Sequence, residues 1–162
     1  MDELALARNR AEELFRQGYS RLMSGELAEA IRLYQESLAA YPTAEAHTFL
    51  GWTYSFLGRH GDAIEECKKA IEVDPTFGNP YNDIGAYLIE LDRPREAIEW
   101  LEKATLAPRY EAPHYPWVNL GRAYEAIGPW EEAVRCYRKA LEVTPGYPDA
   151  RRLLNALLAK MN

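Results

Sequence analysis

Apolar residues recur along this chain at i, i+3, i+4 and i+7, in stretches of about 13 residues. That period predicts amphipathic helices. Short polar turns such as SGEL, LGRHGD and IGPW join the stretches in pairs, and a proline closes each pair at Pro42, Pro75, Pro108 and Pro145. Proline is expected just past a helix end, where it stops one element and starts the next.

The pairs repeat. Anchored on Gly18, Gly51, Gly85 and Gly121, successive units are 33, 34 and 36 residues apart. Twelve residues after each glycine stands Ala30, Ala63, Ala97 or Ala133, and nineteen after it Ser37, Ala70, Ala104 or Ala140. A glycine inside a helix costs about 1 kcal/mol against alanine. Four at one register therefore require a packing reason, and the close approach of two helices, with the small residues of the second meeting the glycine, supplies one.

This pattern resembles the tetratricopeptide repeat (TPR). The second unit carries Leu50-Gly51, Tyr54, Gly58, Ala63, Ala70 and Pro75, and the fourth carries Trp117, Leu120-Gly121, Tyr124, Gly128, Ala133, Tyr137, Ala140 and Pro145. The first unit departs at Arg21, where the family prefers an aromatic, and the third has Asp92 for the turn glycine with Pro94 beside it. The resemblance implies an all-α fold: a right-handed α-solenoid of antiparallel helix pairs forming a superhelix. It would be a single domain with repeats over about 11–43, 44–77, 78–113 and 114–147 and a capping helix over about 148–161. First helices would line a concave face and second helices the convex back.

Composition narrows the function. The net charge of -6 and pI near 5.2 argue against nucleic-acid or anionic-membrane partners, which need a basic face. No stretch approaches the ~18 apolar residues of a membrane span. The start, MDELALARNR, has no apolar core of a signal peptide. Cys67 and Cys136 fall two repeats apart and read as unpaired thiols, so a cytoplasmic location is expected.

No catalytic chemistry emerges. His47, His60 and His114 are not paired with one another or with cysteine at metal-ligand spacing, and no phosphate-binding or nucleophile-elbow motif occurs. Glu12-Glu13, Glu65-Glu66 and Glu131-Glu132 read as solvated faces. The expectation is a non-enzyme with no metal or cofactor: a scaffold or adaptor binding a partner peptide or helix in the concave groove. The competing expectation is self-association through the groove or terminal helix into a homo-oligomer.

Repeat register nominates the groove residues. Tyr19, Trp52, Phe56 and Tyr115 supply aromatic anchors, with Phe15 and Phe49 beside them; Asn79, Asn82 and Asn119 supply amides for a peptide backbone; Arg122 supplies a cation. The family's carboxylate clamp for chaperone tails is not matched. Its positions read Phe15, Tyr19, Phe49, Asn79 and Asp83 in one frame, and Thr48, Trp52, Asp83, Tyr115 and Asn119 in the other, with no cation to pair a carboxylate. The third connector, APRYEAPHYP, is the longest and stiffest.

Overall fold

The computed structural model describes residues 2–162, and the regular structure it shows there is helical. The helices are α1 (Glu3–Met23), α2 (Leu27–Ala40), α3 (Ala44–Phe56), α4 (His60–Val73), α5 (Asn79–Glu90), α6 (Pro94–Leu106), α7 (His114–Ile127), α8 (Trp130–Val143) and α9 (Pro148–Met161). Pro42, Pro75, Pro108 and Pro145 each fall two residues past the last residue of a second helix. The chain groups into two compact units, one ending at Pro80 and one running from Tyr81 to Asn162.

In the first unit α1 packs on α2 and α3 on α4. Helix α1 begins about two turns before the first repeat. The Asp2 carboxylate accepts the Ala5 amide at 2.7 Å, and Glu3 adds a negative charge to the first turn. Both favour the positive end of a helix, and the Leu-Ala-Leu-Ala run that follows has high helix propensity. The Thr43 hydroxyl caps α3 in the same way, accepting from Ala46 N at 3.1 Å.

Tight turns join the helices of a pair. Gly25 and Gly58 take φ of 77° and 74°, and the amides of Glu26 and Arg59 reach back to the carbonyls of Arg21 and Tyr54 at 2.9 and 3.0 Å. The third pair closes identically, Arg93 N to Leu88 O at 2.8 Å, but with Asp92 at φ 58°. Aspartate is among the few side-chain-bearing residues that tolerate the left-handed region. Pro94 then starts α6 at a position where a missing N–H costs nothing.

In the second unit α6 and α8 both pack on α7, and α9 lies on α8. Ala150, Leu154 and Leu157 of α9 join Val118, Val134 and Tyr137 in one buried cluster, with Arg151 and Arg152 outward in solvent.

The repeat glycines meet a partner that register alone did not identify. The alanines twelve residues on are fully buried, but the side chain over the glycine is the one sixteen residues on: Tyr34 over Gly18, Leu101 over Gly85 and Tyr137 over Gly121. At Gly51 the Ala63 carbonyl comes closest, 2.9 Å from where a Cβ would sit, with the Cys67 sulfur at 3.4 Å. A methyl group at Gly121 would overlap the buried Tyr137 ring, whereas one at Gly61, early in α4, meets nothing within 4 Å.

Gly121→Ala should therefore destabilise the protein by about 1–3 kcal/mol through overpacking, and Gly61→Ala should be neutral or stabilising by up to about 1 kcal/mol. Urea unfolding followed by circular dichroism measures both; equal effects at the two sites would contradict the packing account.

Candidate functional site

Helices α1 and α3 place an aromatic run on one face of the first unit. Phe15 and Tyr19 are one turn apart on α1, and Phe49, Trp52 and Phe56 follow at intervals of three and four on α3. Phe49 is the hub: its ring lies 5.2 Å from Phe15, 5.8 Å from Tyr19 and 5.7 Å from Trp52, each edge-to-face. Trp52 continues the run to Phe56 at 5.1 Å. Edge-to-face contacts of this kind are worth about 0.5–1.5 kcal/mol beyond area burial. Even so, Tyr19 remains 44% and Phe56 55% exposed.

Beneath this run lies Tyr34, fully buried, with a hydroxyl that has no hydrogen-bond partner. Burial pushes its phenol well above the ordinary range, and the neighbouring Tyr19 adds to the effect. The equivalent Tyr137 donates to Glu125 Oε2 at 2.9 Å. Glu125 stands four residues after Gly121, and its counterpart four after Gly18 is Leu22, which cannot accept.

The second unit is polar at the corresponding register. Asn119 Nδ2 donates to Asn82 Oδ1 at 3.0 Å, and Asn82 Nδ2 reaches Asp83 Oδ1 at 3.5 Å. Asn82 is 7% and Asn119 9% exposed, so the two amides expected to stand free for a ligand are largely spent on each other. Two carboxamides facing across adjacent first helices lose less by pairing than by competing separately for water. Asn79 is half-buried in the first turn of α5, and Thr48, another inward position, is buried with its hydroxyl on the Ala44 carbonyl at 2.7 Å.

Tyr115 is exposed, and the His114 ring packs between Tyr115 and Tyr147 at 4.3 and 4.4 Å. His114 Nδ1 lies 3.0 Å from Thr144 Oγ1, and burial holds its imidazole below the usual pKa. Arg122 is exposed and makes no hydrogen bond or ion pair among the described residues. In the connector, burial pushes the Tyr110 phenol up, and the nearby Asp83 and Tyr115 push it further.

Glu66 corrects the reading of Glu65-Glu66 as a solvated face. It is buried, accepting from His47 Nδ1 at 2.8 Å and from Lys69 Nζ at 3.0 Å. Burial raises its pKa, but the hydrogen bonds and charges of His47 and Lys69 together outweigh that and hold it below the usual value. Successive residues on a helix point about 100° apart, so Glu65 can face water while Glu66 turns toward α3. Cys136 is likewise buried, its thiol pushed up to about 11 chiefly by burial. Among the described residues no group of three or more His, Cys, Asp or Glu side chains is placed to hold a metal ion. No described helix is long and apolar enough to cross a membrane.

Helix pairs closed over a recurrent glycine, with an aromatic and amide-bearing face on the first helices, define a helical-repeat protein. Tetratricopeptide-repeat models match residues 11–44, 44–77, 79–109 and 117–151, and the chain belongs to that family. Among relatives, the DnaJ homolog subfamily C member 7 homolog of Schizosaccharomyces pombe is 28% identical over 174 residues, covering 96% of this chain. The chain spans only about a third (36%) of that relative's length. The structure of PilF from Pseudomonas aeruginosa superposes with a TM-score of 0.89 at 23% identity, covering 96% of this chain and 70% of that one. The first TPR of Spaghetti (RPAP3), solved with the HSP90 peptide SRMEEVD, has a TM-score of 0.67 at 20% identity, covering 74% of this chain and 93% of its own. These likenesses establish an all-α TPR solenoid fold.

The buried amide pair makes a stability prediction. Asn119→Ala leaves Asn82 with an unmatched buried acceptor and should cost about 1–3 kcal/mol. Chemical denaturation checks it, and a loss below 0.5 kcal/mol, the usual range for a surface substitution, would show that the pair is solvated.

Proposed function

We propose that this chain is a cytoplasmic protein-interaction adaptor with no catalytic role, which holds a partner peptide or helix in the groove formed by its first helices. The observation that carries this reading is the aromatic run from Phe15 to Phe56, packed edge-to-face around Phe49 and tilted at Trp52–Phe56, yet open at Tyr19 and Phe56. Soluble proteins seldom leave such an apolar patch exposed without a use for it, and aromatic anchors dominate interface energetics. A peptide-bound TPR of the same fold supports the mode of binding. The absent clamp cations separate this ligand from a chaperone carboxylate tail. Tyr19, Trp52 and Phe56 are the proposed apolar contacts; Tyr115 and Arg122, with Asn79 and the remaining hydrogen-bonding capacity of Asn82 and Asn119, are the proposed polar ones.

A random 12-residue peptide library selected on the full chain tests the proposal. Selected peptides should bind a Tyr19→Ala/Trp52→Ala variant at least about 30-fold more weakly, the equivalent of one 2 kcal/mol hot spot, with helical circular dichroism unchanged. Unchanged affinity would move the binding face elsewhere. Concentration-dependent dimerisation that the same variant abolishes would favour self-association through this face.

A further inference from the structure

Among the described residues, Asp83 has no ion-pair partner. It lies on α5 in the second unit, half-buried, and its one hydrogen bond is a long one of 3.5 Å from Asn82. Two carboxylates in similarly enclosed positions are fully provided for. Glu66 holds His47 and Lys69, and Glu125 holds Lys160 at 3.1 Å together with the Tyr137 hydroxyl. Enclosing a carboxylate without such partners disfavours the folded state, unless the charge is neutralised by a proton or a cation. Burial, only partly offset by the Asn82 hydrogen bond, accordingly pushes the Asp83 carboxyl up to about 7. The titratable group facing it from the connector is Tyr110, itself held above its ordinary range.

We propose that Asp83 is a subsite for a basic side chain, the ammonium of lysine or the guanidinium of arginine, on the partner peptide. The proposal rests on the peptide-binding reading above and adds the charge the ligand must carry. Asp83 is half-buried rather than sealed, so part of the residue lies at the surface. The cation supplies the missing counter-charge. Tyr110 of the connector lies close enough for its charge and that of Asp83 to interact, and Asn82 is already oriented toward the carboxylate oxygen.

Stability gives a test that needs no ligand. A carboxyl whose folded pKa is raised binds protons in the folded state that the unfolded chain has released, so stability falls as pH rises from about 4 to about 7. Asp83→Asn should therefore raise the melting temperature strongly at pH 8, less at pH 5, and hardly at all at pH 4. A lower melting temperature for Asp83→Asn at pH 8 would show that the charge is already compensated and would overturn the proposal.

Binding gives the second test. The peptides selected from the 12-residue library should share a lysine or arginine. Replacing that residue with norleucine or citrulline, or introducing Asp83→Asn, should weaken binding about tenfold or more. Glu131→Gln, which removes the same charge from the exposed start of α8, should change it less than twofold. Wild-type affinity should fall by a similar factor between pH 8 and pH 5.5, and that pH dependence should vanish in Asp83→Asn, which separates it from titration of His114. If Tyr19→Ala/Trp52→Ala abolishes binding while Asp83→Asn does not, the adaptor reading stands and the basic subsite falls. If Asp83→Asn weakens binding and the aromatic variant does not, the subsite stands and the aromatic face is the wrong one.

Discussion

Each pair of helices in this protein closes at a contact that only glycine permits. Gly18, Gly85 and Gly121 sit directly under the side chains of Tyr34, Leu101 and Tyr137, and Gly51 under the backbone of Ala63. Because the partner arrives sixteen residues later in three pairs and twelve later at Gly51, the contact fixes the length of the turn, the register of the second helix and the rotation of both helices about their axes. The fully buried alanines at the twelfth position follow from this: once the helices approach that closely, that position of the second helix has room only for a small side chain. The remaining face of each first helix is left over by this packing, and there the chain is free to vary its chemistry.

That division explains what could be read in the sequence. The glycine and alanine registers and the closing prolines are backbone demands, so they mark the helix pairs without reference to any partner. Asp92 was visible as an exception for the same reason, and the structure accommodates it in the left-handed conformation its sister glycines adopt. The residue above the glycine was not visible, because Tyr34, Cys67, Leu101 and Tyr137 differ in size and polarity and share only a place in space. Nor was the early start of α1, where the cap at Asp2 lies outside the repeat.

The candidate site was legible as a set of positions but not as a set of states. Tyr19, Phe56 and Tyr115 are exposed where register placed them. Asn82 and Asn119 occupy the expected first-helix positions too, yet each meets the other, and sequence spacing cannot show that two residues 37 apart will share a hydrogen bond. Glu66 is a further case, since only the position of His47 on the facing helix decides whether a glutamate there is solvated or buried.

The second unit shows how such local pairings determine what remains for a partner. Lys160 of the terminal helix reaches Glu125 at 3.1 Å, and Glu125 accepts from Tyr137, so a helix that covers apolar surface also neutralises an inner-face carboxylate. Its partner-free counterpart in the first unit is Tyr34, whose hydroxyl has no acceptor because Leu22 stands where Glu125 does. Internal compensation thus removes Glu125 and much of Asn82 and Asn119 from the chemistry available to a ligand. Asp83 and Arg122, by contrast, form no ion pair among the described residues. If the proposed face binds a segment, such charges would select it by the order of charges along it, and a segment with opposite order would meet repulsion at both positions.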